Sequence, residues 1–149
     1  MKKYIAYGSN LNVGQMRFRC PEATVYATGV IENYRLSFKG SRSGNYLTIE
    51  PADGYTVPVT LWEVSEKDEQ SLDRYEGFPT FYRKETMTVR LDKAGKPQEE
   101  AFAYIMNGHK YGIPTSRYYY TCAEGYMAFG FPIDILDEAF KYSLKQAGI

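Results

Sequence analysis

The sequence predicts a single α+β domain in which turn-linked strands form a meander or small barrel beside a few helices. Three observations carry this. The 149 residues are 44% hydrophobic and 24% charged, the balance of one globular core. A domain of this size buries roughly 70% of the surface its unfolded chain exposes, so it needs no disulfide or metal staple. Short segments mixing β-branched and aromatic residues recur between turn-rich breaks. Helical periodicity is sparse, whereas a regular βαβ repeat needs a helix after nearly every strand.

From the N-terminus, Lys3 to Tyr7 reads as the first strand and Asn12 to Arg19 as a short helix. Strands follow at Thr24 to Val30, Tyr34 to Phe38, Tyr46 to Glu50 and Val57 to Val64. The breaks between them, Lys39 to Asn45 and Ala52-Asp53-Gly54, are rich in turn formers. Ser65 with Asp68 three residues on is an N-cap pattern, and Leu72 and Tyr75 share a helical face before Gly77 and Pro79 end it. In Glu85 to Leu91, Thr86, Thr88 and Arg90 alternate with Met87, Val89 and Leu91, as in a half-buried antiparallel strand. Asp92 to Pro97 reads as a hairpin loop leading into a strand at Glu100 to Met106. A further helix starts at Thr115 or Ser116 and carries Tyr118 and Cys122. The last spans Asp134 to Ala147, where Leu136, Phe140 and Leu144 recur every four residues and Gly148 follows. No repeat, linker or low-complexity stretch divides the chain, so residues 1–149 are expected to form one domain.

Eighteen basic and eighteen acidic side chains cancel, so bulk charge draws the protein to neither nucleic acid nor an anionic membrane. The start, Met1-Lys2-Lys3 followed by Tyr-Ile-Ala-Tyr-Gly-Ser-Asn, is too polar for a signal-peptide core, and no apolar run approaches the ~20 residues of a membrane helix. A cytoplasmic protein is expected. Cys20 and Cys122 lie far apart with no CxxC spacing and read as reduced core residues. With His109 the sole histidine, zinc sites of the HExxH or two-Cys-two-His type are excluded, and no metal is expected. Fifteen tyrosines suit either the wall of a pocket for a small polar ligand or a β-rich core, and the core reading serves for most of them.

Two places could carry chemistry. At Tyr7-Gly8-Ser9-Asn10-Leu11 an extended segment meets Gly-Ser-Asn before a helix. Backbone N–H groups left unpaired there, with glycine admitting close approach, can hold a carboxylate or an oxyanion. The plainer reading is an ordinary turn in which Ser9 or Asn10 caps the helix. The other place is Glu76. With Gly77 as the left-handed cap, Glu76 sits at the negative end of the helix dipole, which disfavours an exposed carboxylate by roughly 0.3–1 kcal/mol. Together with burial this raises its proton affinity and makes it a better proton shuttle near neutrality. The plainer reading is a surface glutamate paired with Arg74 or Arg83. Glu99-Glu100 and Glu66-Lys67-Asp68-Glu69 read as solvated faces. His109, in a loop without a neighbouring carboxylate, reads as a surface residue. Gly8-Ser9-Asn10 lacks the second glycine of a nucleophile elbow, which argues against a serine hydrolase.

Taken together, these segments resemble the gamma-glutamylcyclotransferase family. Its opening Tyr-Gly-Ser-Asn followed by Leu or Met matches Tyr7 to Leu11, and its continuation around Met, Arg and Pro matches Gln15 to Ala23. Gly29 with Tyr34 to Phe38, Thr48-Ile49-Glu50-Pro51, Leu72-Asp73-Arg74-Tyr75-Glu76-Gly77 and Tyr82-Arg83 follow in the family's order. Pro114-Thr115-Ser116-Arg117-Tyr118 and Gly130-Phe131-Pro132 match two late stretches, with a shorter Ser-to-Tyr spacing here. The resemblance covers almost the whole chain.

It implies a compact mixed β-barrel with flanking helices around a gamma-glutamyl cavity. Glu76 then corresponds to the acid/base, Tyr7, Gly8, Ser9, Asn10 and Leu11 to the substrate-binding loop, and Tyr82 and Tyr118 to cavity walls, with Tyr119 or Tyr120 as the alternative to Tyr118. The implied activity cyclises a gamma-glutamyl amine or peptide to 5-oxoproline and releases the amine, without a cofactor. The implied partner is a small gamma-glutamyl molecule, in a monomer or homodimer that engages neither nucleic acid nor membrane. The competing readings are a binding or interaction module on the same fold without turnover, and an amidohydrolase or acyltransferase that would release free glutamate.

Overall fold

The computed structural model describes residues 1–149 throughout. In chain order the elements are β1 (Lys2–Ala6), a 3-10 turn (Ser9–Leu11), α1 (Val13–Arg19), β2 (Thr24–Ser41), β3 (Gly44–Val64), α2 (Glu66–Glu76), β4 (Tyr82–Leu91), β5 (Gln98–Met106), β6 (Lys110–Tyr111), α3 (Ser116–Ala128) and α4 (Ile133–Gln146). The strands run in the order β3-β1-β5-β4-β2, and β2 pairs back onto β3, which closes a five-stranded barrel. Closure leaves no free edge along the ring. The short β6 adds outside it, at Lys39 and Gly40 of β2. All pairings are antiparallel except β1 with β5, where Tyr4 lies opposite Phe102 in a parallel pair.

Two pairs of expected strands are each one long strand. Thr24 to Val30 and Tyr34 to Phe38 lie on the 18-residue β2, and Tyr46 to Glu50 and Val57 to Val64 lie on the 21-residue β3. The Ala52-Asp53-Gly54 run therefore does not separate strands. It is a bulge: Glu32 pairs with Thr56 and Tyr34 with Pro51, so Asn33 alone faces the stretch between them. Asn33 adopts a left-handed φ of 64° and its Oδ1 accepts a 3.1 Å bond from Gly54 N–H, a local bond Asn is suited to make. The Lys39 to Asn45 run does turn the chain, joining β2 to β3 through Ser41 and Gly44. The short β6 has no signal that sequence reasoning found.

Helix ends follow local chemistry. Ser65 and Asp68 form a reciprocal capping box at the start of α2, and Gly77 at φ 64° ends it. Asp68 is thus buried, and Glu69 pairs with Lys2 and Lys84 at 3.0 and 2.6 Å, so this charge run is not the solvated face expected of it. At α1 the cap is Asn12, whose side chain accepts from Gln15 N–H; neither Ser9 nor Asn10 caps the helix. Thr115 caps α3 in the same manner.

A single hydrophobic cluster fills the barrel and continues under the helices, with Ile5, Phe38, Leu47, Val59, Leu61 and Tyr126 among its most buried members. Cys20 and Cys122 lie in it as free thiols. On α4, Leu136, Ala139 and Ser143 are buried, and Ser143 Oγ accepts from Phe38 N–H of β2 at 2.8 Å while donating to Ala139 O. No helix is long and apolar enough to cross a membrane.

Candidate active site

Where β1 ends, Tyr7 and Gly8 lead into the 3-10 turn, and this turn meets the C-terminal end of α2 across a cavity of about 300 Å³. Tyr7, Gly8, Ser9 and Asn10 line one side and Glu76 with Gly77 the other. Tyr4, Tyr82, Tyr104 and Tyr118 form much of the wall, and Ser43, Tyr46, Arg74, Tyr75 and Phe81 complete it with Leu47. Leu11, expected in the same loop, is fully buried in the core and does not reach the cavity. The turn winds its side chain inward, where it meets Gly125 of α3 so closely that a Cβ there would clash.

The tyrosine rings are held by backbone groups. Tyr7 donates to Tyr104 O at 2.5 Å and Tyr82 to Leu47 O at 2.8 Å, while the Tyr118 hydroxyl accepts from Leu47 N–H at 3.1 Å. Leu47 thus fixes two walls at once. Ser9 Oγ shares a 2.9 Å bond with the Tyr75 hydroxyl, and Asn10 Nδ2 donates to the Tyr4 hydroxyl at 2.8 Å. The first bond inside the turn runs from Leu11 N–H to Gly8 O. The N–H groups of Ser9 and Asn10 therefore have no partner within the turn. A Cβ at Gly8 would lie 3.4 Å from both Leu47 Cβ and the Tyr118 hydroxyl, so there is little room for a side chain.

Glu76 is the last residue of α2, only partly accessible, and it pairs with neither arginine considered for it. Arg74 donates to Ser71 Oγ, and Arg83 bonds Glu85, Met106 O and Asn107 Oδ1. Burial pushes the Glu76 carboxyl up to about 8 from an ordinary value of 4.5, opposed by the nearby Arg19 guanidinium. The helix C-terminus acts in the same direction as burial. Burial also raises the proton affinity of Tyr4, Tyr7, Tyr82 and Tyr118, so these walls are neutral hydroxyls near neutral pH.

Of the alternatives to Tyr118, Tyr119 packs on Phe38 and Phe140, and Tyr120 is exposed. His109 stays outside the lining, its ring 4.4 Å from Phe81 and its Nδ1 2.6 Å from Asn107 O. Sequence reasoning did not single out Tyr4, Tyr104 or Leu47 as wall residues. Among fifteen tyrosines nothing local distinguishes those facing a cavity from those facing the core. No cluster of His, Cys, Asp or Glu has the makings of a metal site.

Fold and cavity together define the class: a closed small-barrel protein with a carboxyl-bearing, tyrosine-walled cavity of a size for a small polar molecule. A family model described as "Gamma-glutamyl cyclotransferase, AIG2-like" matches residues 4–121, and the chain belongs to this family. It is 25% identical to the gamma-glutamylcyclotransferase of Homo sapiens and 27% identical to that of Bos taurus, each match covering 88% of this chain and 73% of the relative. A solved structure named gamma-glutamyl cyclotransferase superposes with a TM-score of 0.83 at 22% identity, covering 93% of this chain and 85% of that one. YkqA from Bacillus subtilis superposes with a TM-score of 0.76 at 16% identity, covering 97% of this chain and 55% of that one. These superpositions establish a shared fold.

Proposed function

We propose that the protein cyclises a gamma-glutamyl amine or peptide to 5-oxoproline and releases the free amine, with Glu76 as general acid and base. The observation that carries this reading is an unpaired carboxyl of raised proton affinity in the cavity, opposite the Gly8-Ser9-Asn10 turn. In such a substrate the α-amino group attacks the γ-carbonyl and closes a five-membered lactam, so no protein nucleophile is required. Held in the right geometry, an intramolecular attack reaches effective molarities of about 10⁵ to 10⁸ M. What remains is to fold the substrate, move protons and exclude water.

Glu76 in its ionised form takes a proton from the α-ammonium and passes it to the leaving nitrogen as the C–N bond breaks, and the second proton, lost by the attacking nitrogen as it becomes the lactam N–H, leaves with the released amine as its ammonium. A proton affinity of about 8 suits both steps, because neither form of the carboxyl is scarce near neutrality. The N–H groups of Ser9 and Asn10, unpaired within the turn, receive negative charge, either the developing oxyanion or the substrate's α-carboxylate. Tyr82 and Tyr118, fixed through Leu47, hold the glutamyl chain folded. The test is to incubate the purified protein with a panel of gamma-glutamyl amines and dipeptides and analyse the products. Release of 5-oxoproline with free amine is expected; free glutamate would mean attack by water, and no product with retained binding would mean a binding module.

A further inference from the structure

Beyond the cavity lining lies one cation that reaches both of its sides. Arg19, the last residue of α1, donates from Nη1 to Asn10 Oδ1 and from Nη2 to Gln15 Oε1 at 3.1 Å, and its guanidinium stacks 3.4 Å from the centre of the Tyr75 ring. It pairs with no carboxylate. Through Asn10 it reaches the Tyr4 hydroxyl, and through Tyr75 it reaches Ser9 Oγ. Both ends of this network line the cavity, while Arg19 itself does not.

We propose that Arg19 is a positioning residue of this site, clamping Asn10 and Tyr75 so that the Ser9-Asn10 turn is held in register against the helix end that carries Glu76. The proposal rests on the functional reading above for its kinetic consequences. The planar fork of arginine is what the geometry uses: two donors in one plane with a ring against the face, which lysine cannot reproduce.

The same guanidinium, held against the ring of Tyr75 next to Glu76 in the chain, lowers the proton affinity of that carboxyl. Facing that carboxyl are Tyr4 on β1 and Tyr7 just past its end, Tyr75 on α2 itself, Tyr82 on β4 and Tyr104 on β5. All are phenols kept neutral by burial, so Arg19 is the charge that opposes the burial of Glu76. Arg74, also in the lining, donates to Ser71 Oγ. Arg19 thus keeps a share of Glu76 ionised and available as a base.

The two roles separate by substitution. Arg19→Met keeps the apolar stem and removes both the charge and the fork, and is expected to move the midpoint of the pH profile of kcat/KM upward by about one unit, in addition to the KM rise that loss of the fork brings at every pH. Arg19→Lys keeps the charge and loses the fork, so the midpoint stays in place while KM rises about tenfold, the worth of one charge-assisted hydrogen bond. A merely structural arginine would not move the midpoint. An Arg19→Met profile coincident with wild type overturns the proposal, and so does an Arg19→Lys enzyme with unchanged KM; should the Met variant not fold, the Lys variant decides. If the wild-type protein forms no 5-oxoproline, the functional reading fails, and ¹³C NMR titration of the Glu76 carboxyl in wild type and Arg19→Met decides the role of Arg19 alone. An upward shift supports it and an unmoved midpoint overturns it.

Discussion

Glu76 is a carboxyl that the fold keeps at a cost. Two forces raise its proton affinity, burial and the negative end of α2, and one lowers it, the Arg19 guanidinium. Because folding raises the value from 4.5 to about 8, the sign of the stability effect is fixed. Below pH 4.5 the group is protonated in both states and folding takes up no proton. Between there and about 8 the unfolded chain is ionised while the folded one holds its proton, so stability falls by about 1.4 kcal/mol per pH unit and levels off above. Glu76→Gln removes this term. Its melting temperature relative to wild type should therefore climb by about ten degrees between pH 5 and pH 8.5, as read by calorimetry at both pH values. An offset independent of pH would mean that Glu76 titrates normally.

How much of this residue was legible locally is instructive. The Gly77 stop placed Glu76 at the helix end from sequence alone. Its isolation was not legible, because Arg74 and Arg83 stand at plausible pairing distance along the chain and only the fold commits them to Ser71 and to Glu85 with the Met106 carbonyl. Arg19 was invisible for a related reason: its partners Asn10 and Tyr75 belong to segments that meet only in three dimensions.

At the scale of elements, the site is the meeting of two element ends, the turn after β1 and the last turn of α2. The α2 end is secured from its far terminus by the Ser65–Asp68 box, with Ser65 Oγ also donating to Glu22 at 2.7 Å. Ser65→Ala should cost about 1 kcal/mol, a few degrees in melting temperature, while leaving the product and KM of the assay unchanged. The turn has less latitude. Gly8→Val would drive a branched side chain against Leu47 and the Tyr118 hydroxyl, so KM should rise by at least about tenfold with the circular dichroism spectrum retained. Unchanged substrate affinity would remove the turn from the site. The caps of α2 and α3 were legible because a cap is local chemistry, whereas at α1 the cap is Asn12 and not Ser9 or Asn10. The long strands were not: Ala52-Asp53-Gly54 has the composition of a turn, yet Asn33 opposite it accepts a left-handed backbone and lets both strands continue.

At the scale of the molecule, closure makes the cavity. The sequence supports an α+β domain of turn-linked strands, but hairpin spacing speaks only for antiparallel neighbours. The parallel pairing of β1 with β5 joins strands from opposite ends of the sheet's chain order, and no periodicity announces it. That pairing, together with β2 folding back on β3, brings the turn after β1, Leu47 of β3, the end of α2 and Tyr118 of α3 around one space. A family resemblance covering almost the whole chain implied the mixed barrel and its cavity where local patterns could not.

The role of Glu76 as acid and base is tested by the pH profile of 5-oxoproline formation by wild type and Glu76→Gln on one good gamma-glutamyl substrate. A wild-type kcat/KM that rises tenfold per unit and levels near pH 8 is expected, with a variant slower by about 10²- to 10⁴-fold whose profile lacks that limb. A folded Glu76→Gln protein that forms 5-oxoproline at the wild-type rate, with the same dependence on pH, would contradict it.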